Sequence, residues 1–566
     1  MKIPQAREDF IGVRLLVDAK RFCIQPAAEW AVWKDYLRTR AAFRGVRCRA
    51  EPPAADADVA LVVLDRDDIF ETKLFTLLAL ALRQQGWRVV AMVPSRRTTR
   101  ADRYARALGA DEIVYRSDLI KQAASSRVEW VEIAERLLAP VESSNSLKGV
   151  RYRESEVGRH VFASTSRETL EGSPDPSAPA TKSIVSRLMT EAVSSVEVGH
   201  ILADRLRPNL VILAEANYAL TGPLVDVLVE MGASVAQTIP MFTNDGFMCK
   251  RLTKGHRSLH PASVEKSTFD RILQEAPLTD FDGALDEELR RRYSGFYALQ
   301  AQNQPSNLQP DRSELLNLVG FTGDRPIAVI FSHVLWDASL FFGTDLFDDY
   351  GQWFVETVRA AIANDHVDWV IRAHPSNVFR VNHGDITGEA AEIRLLHESF
   401  PKLPTHISVL PPEADVSSLA LFQHADFGVT VRGTPGLEMA SFGRPVLTAG
   451  TGHYMNQGFT IDSSTREEYI SRLASAHDLV PLTPDQTRLA RVHAYTVFTR
   501  RLFRTQTFPP IYDFADEGFH PLDRNIKTTG MRITNEVLSG AEDLHKFSTW
   551  IDTAETDFLD PPLSAG

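Results

Sequence analysis

The feature that most constrains the fold is an alternation of short apolar runs with helical patterns, which occurs twice along the chain. The first series starts at DVALVVLD (58–65) and continues through WRVVAMV, EIVY, NLVILAEAN and SVAQT. The second series contains PIAVIFS, VDWVIRA, THISVL, DFGVTV and PVLTA. Strands that alternate with helices pair in parallel and are covered on both faces. The sequence therefore predicts two open α/β sheets.

Two such series predict two facing Rossmann-like domains with a ligand cleft between them. The predicted division has five parts: a helical N-terminal extension (1–55), a first domain (56–300), a linker rich in Gln, Asn and Pro (301–324), a second domain (325–482), and a C-terminal helix and tail (483–566). The polar stretch from 152 to 183 is long for a connection, which predicts a disordered or functional loop.

Composition narrows the classes of partner. The 566 residues carry a formal net charge of -12, so no general basic field is available for nucleic acid or for an anionic membrane. Cys23, Cys48 and Cys249 lack the spacing of a zinc site or of a disulfide framework. The longest apolar stretch, LFTLLALAL, is too short to span a bilayer. A cytoplasmic protein is expected, whose anionic ligand is held by a local site.

Polar residues follow several strands of the second series at the point where each apolar run ends. Arginine and histidine are costly to bury without a partner, and ligands of parallel sheets bind at the carboxyl ends of the strands. These residues therefore predict one convergent site for a phosphate. They are Ser332 and His333, Arg372 and His374, Arg432 and Thr434, and His453 and Tyr454.

The segment RGTPGLEMASFG (432–443) predicts a turn that opens a short helix. The backbone N–H groups around Gly433 and Gly436, with the hydroxyl of Thr434 as a cap, suit a phosphate. Glu438 lies one turn further on, where it could accept from a ribose diol. The alternative is an acid that stabilises the helix dipole.

The runs AHP, GLEMASFGRPVLTAG and GHYMNQGFT resemble the donor-binding half of GT-B glycosyltransferases, and within them bacterial capsule polysaccharide biosynthesis proteins, a group that includes Kdo transferases. The resemblance covers about residues 325 to 480. It implies that Arg372 and His374 hold the phosphate of a nucleotide sugar and that Glu438 holds the ribose. It also implies that residues Tyr454 to Thr460 form part of the donor pocket, because the family's closing pattern is matched by Gly450 or Gly452, Tyr454, Gly458 and Thr460.

A general base would come from the first domain. Glu215 and Asp65 each follow an apolar run there, and His160 lies in the long polar stretch near Ser164, Thr165 and Arg167, which could hold a sugar or its carboxylate. Each acid could instead be a cap or a loop residue, and a retaining enzyme needs no such base. Asp65 and Asp67 have the spacing of a metal motif, but acids are favoured at a helix start, so no metal is expected.

Together these features predict a metal-independent GT-B glycosyltransferase that needs no cofactor. It would move a sugar from a nucleotide sugar, with a CMP-linked donor as one candidate, to a surface or capsular polysaccharide or its lipid acceptor. Peripheral association with the inner face of the membrane is compatible with this role. The alternatives are a CDP-polyol phosphotransferase that uses His374 and His453, a nucleotide-sugar 2-epimerase, and a GT-B-like binding protein without turnover. The amphipathic run QTRLARVHAYTVFTRRLF predicts a C-terminal helix that crosses the domain boundary, packs on its own domain or lies on a membrane.

Overall fold

The structure is a computed structural model of the 566-residue chain. It describes residues 20–47 except 22 and 25, and then residues 52–66, 69–123, 127–240, 243, 246–275, 281–294, 296–297, 308–336, 339–378, 389–504 and 542–563.

The first sheet has seven strands in the order β13-β6-β5-β4-β1-β2-β3. Strands β1 to β5 are parallel, and β6 and β13 form an antiparallel edge. The strands are β1 (Val59–Val63), β2 (Arg88–Val93), β3 (Glu112–Tyr115), β4 (Leu210–Leu213), β5 (Ser234–Pro240), β6 (Gly246–Leu252) and β13 (Leu502–Arg504). The direction of the crossover connections reverses between β1 and β4, which makes this pair the switch point of the sheet.

The second sheet has six parallel strands in the order β12-β11-β10-β7-β8-β9. The strands are β7 (Ile327–Phe331), β8 (Asp368–Arg372), β9 (Ile407–Leu410), β10 (Phe427–Thr430), β11 (Val446–Thr448) and β12 (Ile461–Asp462). Its switch point lies between β7 and β10. The expected fold class, α/β with two Rossmann-like domains, is confirmed.

Helices cover both sheets. Those of the first half are α1 (Pro26–Arg47), α2 (Ile69–Gln84), α3 (Thr99–Ala107), α4 (Arg116–Ala123), α5 (Arg127–Leu138), α6 (Ser144–Lys148), α7 (Val157–Thr169), α8 (Pro179–Leu206), α9 (Gly222–Glu230), α10 (Lys266–Gln274) and α11 (Phe281–Tyr293). Those of the second half are α12 (Arg312–Val319), α13 (Tyr350–Ala363), α14 (Ala391–Ser399), α15 (Ser418–His424), α16 (Pro435–Ala440), α17 (Arg466–Ala474), α18 (Pro484–Tyr495) and α19 (Glu542–Asp552).

Strands such as β1 and β7 are apolar throughout because helices cover both faces of each sheet. Every residue of β1 and of β7 is buried, so neither strand shows the apolar and polar alternation of a half-exposed sheet. The register pairs Phe331 at the end of β7 with Arg372 at the end of β8. The polar residues that follow these two strands therefore start from neighbouring positions.

Two segments that were expected to be irregular are helical. The polar stretch from 152 to 183 contains α7, because Val157, Val161 and Phe162 form an apolar face that packs against α8. The expected linker 301–324 contains α12, which begins with a capping box between Asp311 and Glu314. Leu315 and Val319 of α12 are buried against the second sheet, while residues 301–307 of the expected linker lie outside the described residues.

The C-terminal segment crosses back over the domain boundary. Helix α18 packs on α11 and α16, and the π-helical turn Thr496–Arg500 leads into β13. Strand β13 pairs with β6, with Leu502 opposite Met248, and α19 packs on α2. Among the three arrangements expected for this helix, the structure has the crossing one. The last described residues thus belong to the core of the first domain.

The two domains also meet through the loop between β7 and α13. Phe341 of this loop stacks on His160 of α7, with ring centroids 4.8 Å apart and planes inclined by 17°. Leu340 is buried in the same cluster of first-domain helices. Within the described ranges, no helix is both long and apolar enough to cross a membrane.

Candidate functional site

The polar residues expected at strand ends lie at the switch points of the two sheets. In the second sheet, Ser332 and His333 follow β7, and Arg432 follows β10 after one residue. In the first sheet, Asp65 follows β1 and Glu215 follows β4, each after one residue. Ligands of open parallel sheets bind in the crevice at this point. The topology therefore places these predicted residues where a ligand crevice is expected.

Arg372 has one edge of its guanidinium bonded and the other unpaired. The side chain is buried, and Nη1 donates to the carbonyl oxygen of Pro411 at 2.5 Å. Nε and Nη2, the pair that forms a side-on fork, have no hydrogen-bond partner in the described part of the chain. Burial lowers the pKa of Arg372 to about 10, so the group is still charged at neutral pH. This is the geometry that a carboxylate or phosphate accepts from two nitrogens at once.

The imidazole of His374 is fixed as a neutral hydrogen-bond donor. Its Nδ1 accepts from the backbone N–H of Ser376 at 3.3 Å, with Ser376 Oγ at 2.7 Å. Burial, and then the neighbouring His333 and Arg372, lower the pKa of His374 to about 3. A neutral ring whose Nδ1 accepts must carry its proton on Nε2. His374 can therefore donate to an anion from Nε2.

His333 links the ends of these strands to Arg432. Its ring lies 6.4 Å from that of His374 and 4.4 Å from that of Tyr350, between centroids. The guanidinium of Arg432 lies 5.8 Å from the same Tyr350 ring and forms an ion pair with Asp345. The hydroxyl of Ser332 is buried, and its oxygen has no partner among the described residues. The predicted strand-end residues of β7, β8 and β10 are thus brought together.

The segment from Gly433 to Gly436 forms the expected turn but differs in its bonds. Thr434 makes no capping bond, because its own backbone is already helical (φ -49°, ψ -31°). The N–H of Gly433 donates to Thr430 Oγ1 at 3.1 Å, and that of Gly436 donates to the carbonyl of Gly433 at 3.0 Å. The N–H groups of both glycines are therefore bonded within the turn and are not free as expected, and Thr434 does not form the expected cap.

Tyr454 holds this turn through a hydrogen bond to its backbone. Its buried hydroxyl donates to the carbonyl of Gly433 at 2.7 Å, and a Cβ on Gly436 would lie 2.0 Å from the phenol oxygen. Gly458 has a positive φ of 92°, and Thr460 Oγ1 donates to Asp462 at 2.9 Å. These contacts give Tyr454, Gly458 and Thr460 a structural role. Their predicted contact with a donor stays a prediction.

Glu438 is engaged by the first domain. Its Oε1 accepts from Nε and Nη2 of Arg292, at 3.0 and 2.8 Å. Both side chains of the ion pair are almost completely buried. The predicted ribose contact of Glu438 stays a prediction, and a ribose would have to share a carboxylate that already holds α11.

The two predicted acids of the first domain share a cavity of about 250 Å³. Asp65 and Glu215 line it together with Arg167 and Tyr218. Arg167 lies 3.5 Å from Glu215 and 4.6 Å from the centre of the Tyr218 ring. Ser164 also lines the cavity, but its Oγ accepts from the backbone N–H of Ala219 at 2.8 Å. A carboxylate in this cavity could accept a proton from a hydroxyl group, and the role of Asp65 or Glu215 as the general base stays a prediction.

His160 does not line this cavity. Its Nε2 lies 2.8 Å from Asp226, a carboxylate that also accepts from Arg257 and Ser155. Burial alone would raise the pKa of Asp226, but His160 and Arg257 together hold it well below its usual range. A Cβ on Gly222 would lie 2.1 Å from Nδ1 of His160. His160 is thus enclosed at the domain contact, and its predicted role as a base stays untested.

Two histidines between the domains complete this region. His453, beyond β11, is buried, and neither of its ring nitrogens has a partner among the described residues. The ring of His260, in the loop after β6, lies 5.5 Å away between centroids. Sequence reasoning missed His260, although His260–Pro261 repeats the pair His374–Pro375.

Metal ligands do not cluster in the part of the chain that the structure describes: it contains no group of three His, Cys, Asp or Glu side chains that could hold an ion. Asp67, the second acid of the metal spacing noted above, lies outside the described residues.

No family model matches this sequence, and no curated protein matches it. Among solved structures, the β-Kdo 2,4-transferase KpsC of Thermosulfurimonas dismutans shows 14% identity, with 51% of this chain and 79% of that chain covered and a TM-score of 0.30. The β-Kdo 2,7-transferase KpsC of the same organism shows 16% identity, with 52% and 80% covered and a TM-score of 0.31. The UDP-GlcNAc 2-epimerase of Neisseria meningitidis, bound to UDP-GlcNAc, shows 10% identity, with 78% and 97% covered and a TM-score of 0.25. Likenesses this distant say nothing of substrate or reaction.

Proposed function

We propose that the chain is a glycosyltransferase that takes its sugar from a nucleotide donor held by the second domain. The observation that carries the proposal is the buried, unpaired side-on edge of Arg372, close to the unpaired hydroxyl of Ser332 and the neutral ring of His374. A buried cation that leaves two donors without partners favours an oxyanion as the missing acceptor. The phosphate of a nucleotide sugar meets this requirement.

In the proposed reaction, the bond between the anomeric carbon and the phosphate oxygen breaks, and its electron pair stays on the phosphate. Arg372 and His374 stabilise the charge that develops there, which a preorganised site does without reorientation. The acceptor hydroxyl forms the new bond to the anomeric carbon. In an inverting reaction its proton passes to Asp65 or Glu215, the two acids of the first-domain cavity. A growing surface or capsular saccharide, or its lipid carrier, is the acceptor that we propose.

The first test is a thermal-shift panel with CMP, CDP, UDP and GDP on the wild-type chain and on two variants. A nucleotide at about a hundred times its Kd adds about 2.7 kcal/mol to the free energy of unfolding, which raises the Tm measurably. Arg372→Lys keeps the charge but loses the side-on fork, so we expect it to weaken binding roughly tenfold or more.

The matched control is Arg325→Lys. Arg325 precedes the second sheet and pairs with Asp368, the first residue of β8, at the end of the strands opposite to Arg372. The control variant should bind like the wild type. Stabilisation by none of the four nucleotides, or equal shifts in both variants, would contradict the proposal.

Products then separate the proposed transferase from the other activities. A nucleotide sugar that releases its nucleotide only when a saccharide acceptor is present supports transfer. An isomer of the nucleotide sugar without release indicates an epimerase, and CMP released from a CDP-polyol indicates a phosphotransferase. Binding without any turnover indicates a binding protein.

A further inference from the structure

His260 reaches from the first domain to the elements that carry the donor residues. It lies in the loop between β6 and α10, and its ring meets that of Phe342 edge-on at 4.6 Å and lies 5.5 Å from that of His453. Phe342 belongs to the loop after β7, and its carbonyl accepts from Nη1 of Arg432 at 3.4 Å. His260 therefore lies beside the strand ends of the second sheet, although it belongs to the first domain.

The hydrogen bonds of His260 leave it one donor. Its Nδ1 accepts from the backbone N–H of Ala262 at 3.0 Å. Burial, and then the charges of Arg432 and Lys250, lower the pKa of His260 to about 3, so the ring is neutral and its proton is on Nε2. The residue is half-buried, so part of it is accessible to a ligand between the domains.

The charges around His260 favour an anion as the acceptor of this proton. Arg432, Lys250 and Arg501 are all close enough to lower the pKa of His260. Lys250 and Arg501 belong to a buried cluster with Asp557 that contains two cations and one anion. A neutral donor in a positive environment suits an oxyanion, since a cationic ligand would be repelled there.

We infer that His260 is the residue by which the first domain completes the donor site, with Nε2–H donating to an anionic oxygen of the bound nucleotide. This inference rests on the proposed function. It makes donor binding depend on both domains, so that His260 positions the nucleotide from the side opposite to Arg372 and His374.

Two substitutions at this position distinguish the role of the Nε2–H donor from that of the hydrogen bond between Nδ1 and the N–H of Ala262. In His260→Asn, the amide oxygen replaces Nδ1 as acceptor from Ala262, but no donor remains at Nε2. In His260→Gln, the amide nitrogen lies near the position of Nε2 and restores the donor. We expect the Asn variant to weaken nucleotide binding, or to lower kcat/KM, roughly tenfold or more, and the Gln variant to stay within about threefold of the wild type.

The control is His256→Asn in the same loop, which should have no effect on binding. Equal losses in the Asn and Gln variants would mean that the ring is structural, and an unchanged Asn variant would place His260 outside the site. Either result overturns the inference.

A second measurement uses the unmodified protein. Diethyl pyrocarbonate labels neutral imidazoles, and mass spectrometry locates the label with and without CMP or UDP. We expect the nucleotide to protect both His374 and His260 but not His256. Protection of His374 alone overturns the inference and leaves the proposed function in place. If neither histidine is protected and no nucleotide stabilises the chain, the proposed function fails and the inference fails with it.

Discussion

At the scale of single residues, four histidines share an environment that keeps them neutral. Burial is the largest cause in each case: it lowers the pKa of His260, His374 and His493 to about 3 and that of His453 well below its usual range. Cations nearby act in the same direction. These rings serve as neutral donors or packed rings at neutral pH. In the unfolded chain the same histidines have an ordinary pKa of about 6.5.

The stability of the protein should therefore fall in mild acid. Below pH 6.5 these histidines bind protons in the unfolded chain but not in the folded protein, where their pKa is lower. The free energy of unfolding therefore decreases as the pH falls from 6.5 towards 3. For the fully buried His493, the loss between pH 6.5 and pH 5 is roughly 2 kcal/mol. Urea unfolding at pH 7 and pH 5 measures it, and His493→Asn should show a smaller difference between the two pH values. An equal difference in both proteins would contradict the assignment.

The position of the site residues was predictable, but their partners were not. Arg372, His374 and Arg432 follow apolar runs, and the topology of parallel sheets brings such positions together. The partner of Glu438 is Arg292, which lies 146 residues earlier in the chain. His160 similarly meets Phe341 of the other domain. Contacts between domains leave no local pattern in the sequence, so neither of these two partners could be predicted from it.

At the scale of elements, the strands of both sheets were easier to predict than the helices between them. Strands such as β1 and β7 are continuous apolar runs, whereas α7 buries one narrow face and presents polar residues elsewhere. Helix α12 begins with a capping box inside a run that its composition marks as a linker. Strand β13 has only three residues, and its pairing with β6 depends on the return of the chain.

The turn from Gly433 to Gly436 gives an element-scale prediction. A methyl group on Gly436 would collide with the hydroxyl of Tyr454, whose ring is fully buried. Gly436→Ala should lower the free energy of unfolding by roughly 1–3 kcal/mol, because neither side can move easily. Denaturant unfolding measures the change.

Gly255→Ala is the control, because a methyl group there would meet no described atom within 4 Å and the backbone of Gly255 is ordinary. Tyr454→Phe should lower stability by about 1 kcal/mol through the lost bond to Gly433. If Gly436→Ala were no more destabilising than Gly255→Ala, the close contact between Gly436 and the hydroxyl of Tyr454 would be contradicted.

At the scale of the whole molecule, a buried charge cluster holds the end of the chain in the first domain. Asp557 accepts from Lys250 at 2.7 Å and lies 3.3 Å from Arg501, and all three side chains are completely buried. Lys250 is in β6 and Arg501 immediately precedes β13. The cluster thus joins the last described segment to the edge of the first sheet.

Asp557→Asn should be strongly destabilising, by roughly 3–5 kcal/mol, because it leaves two buried cations without their anion. Glu555→Gln removes a surface partner of Arg271 two residues away and should cost at most about 1 kcal/mol. Unfolding of both variants in urea gives the comparison. A similar small loss in both would show that the cluster does not hold the C-terminal segment.

The return of the chain through β13 has a mechanical consequence. The second sheet is an insertion: the polypeptide leaves the first domain before β7 and rejoins it after α18. The second domain is therefore held by two chain connections as well as by the buried contacts between the domains, such as the ion pair of Arg292 with Glu438. Two connections allow rotation about the line that joins them but oppose bending in other directions, so we expect any movement of the second domain to follow that one axis.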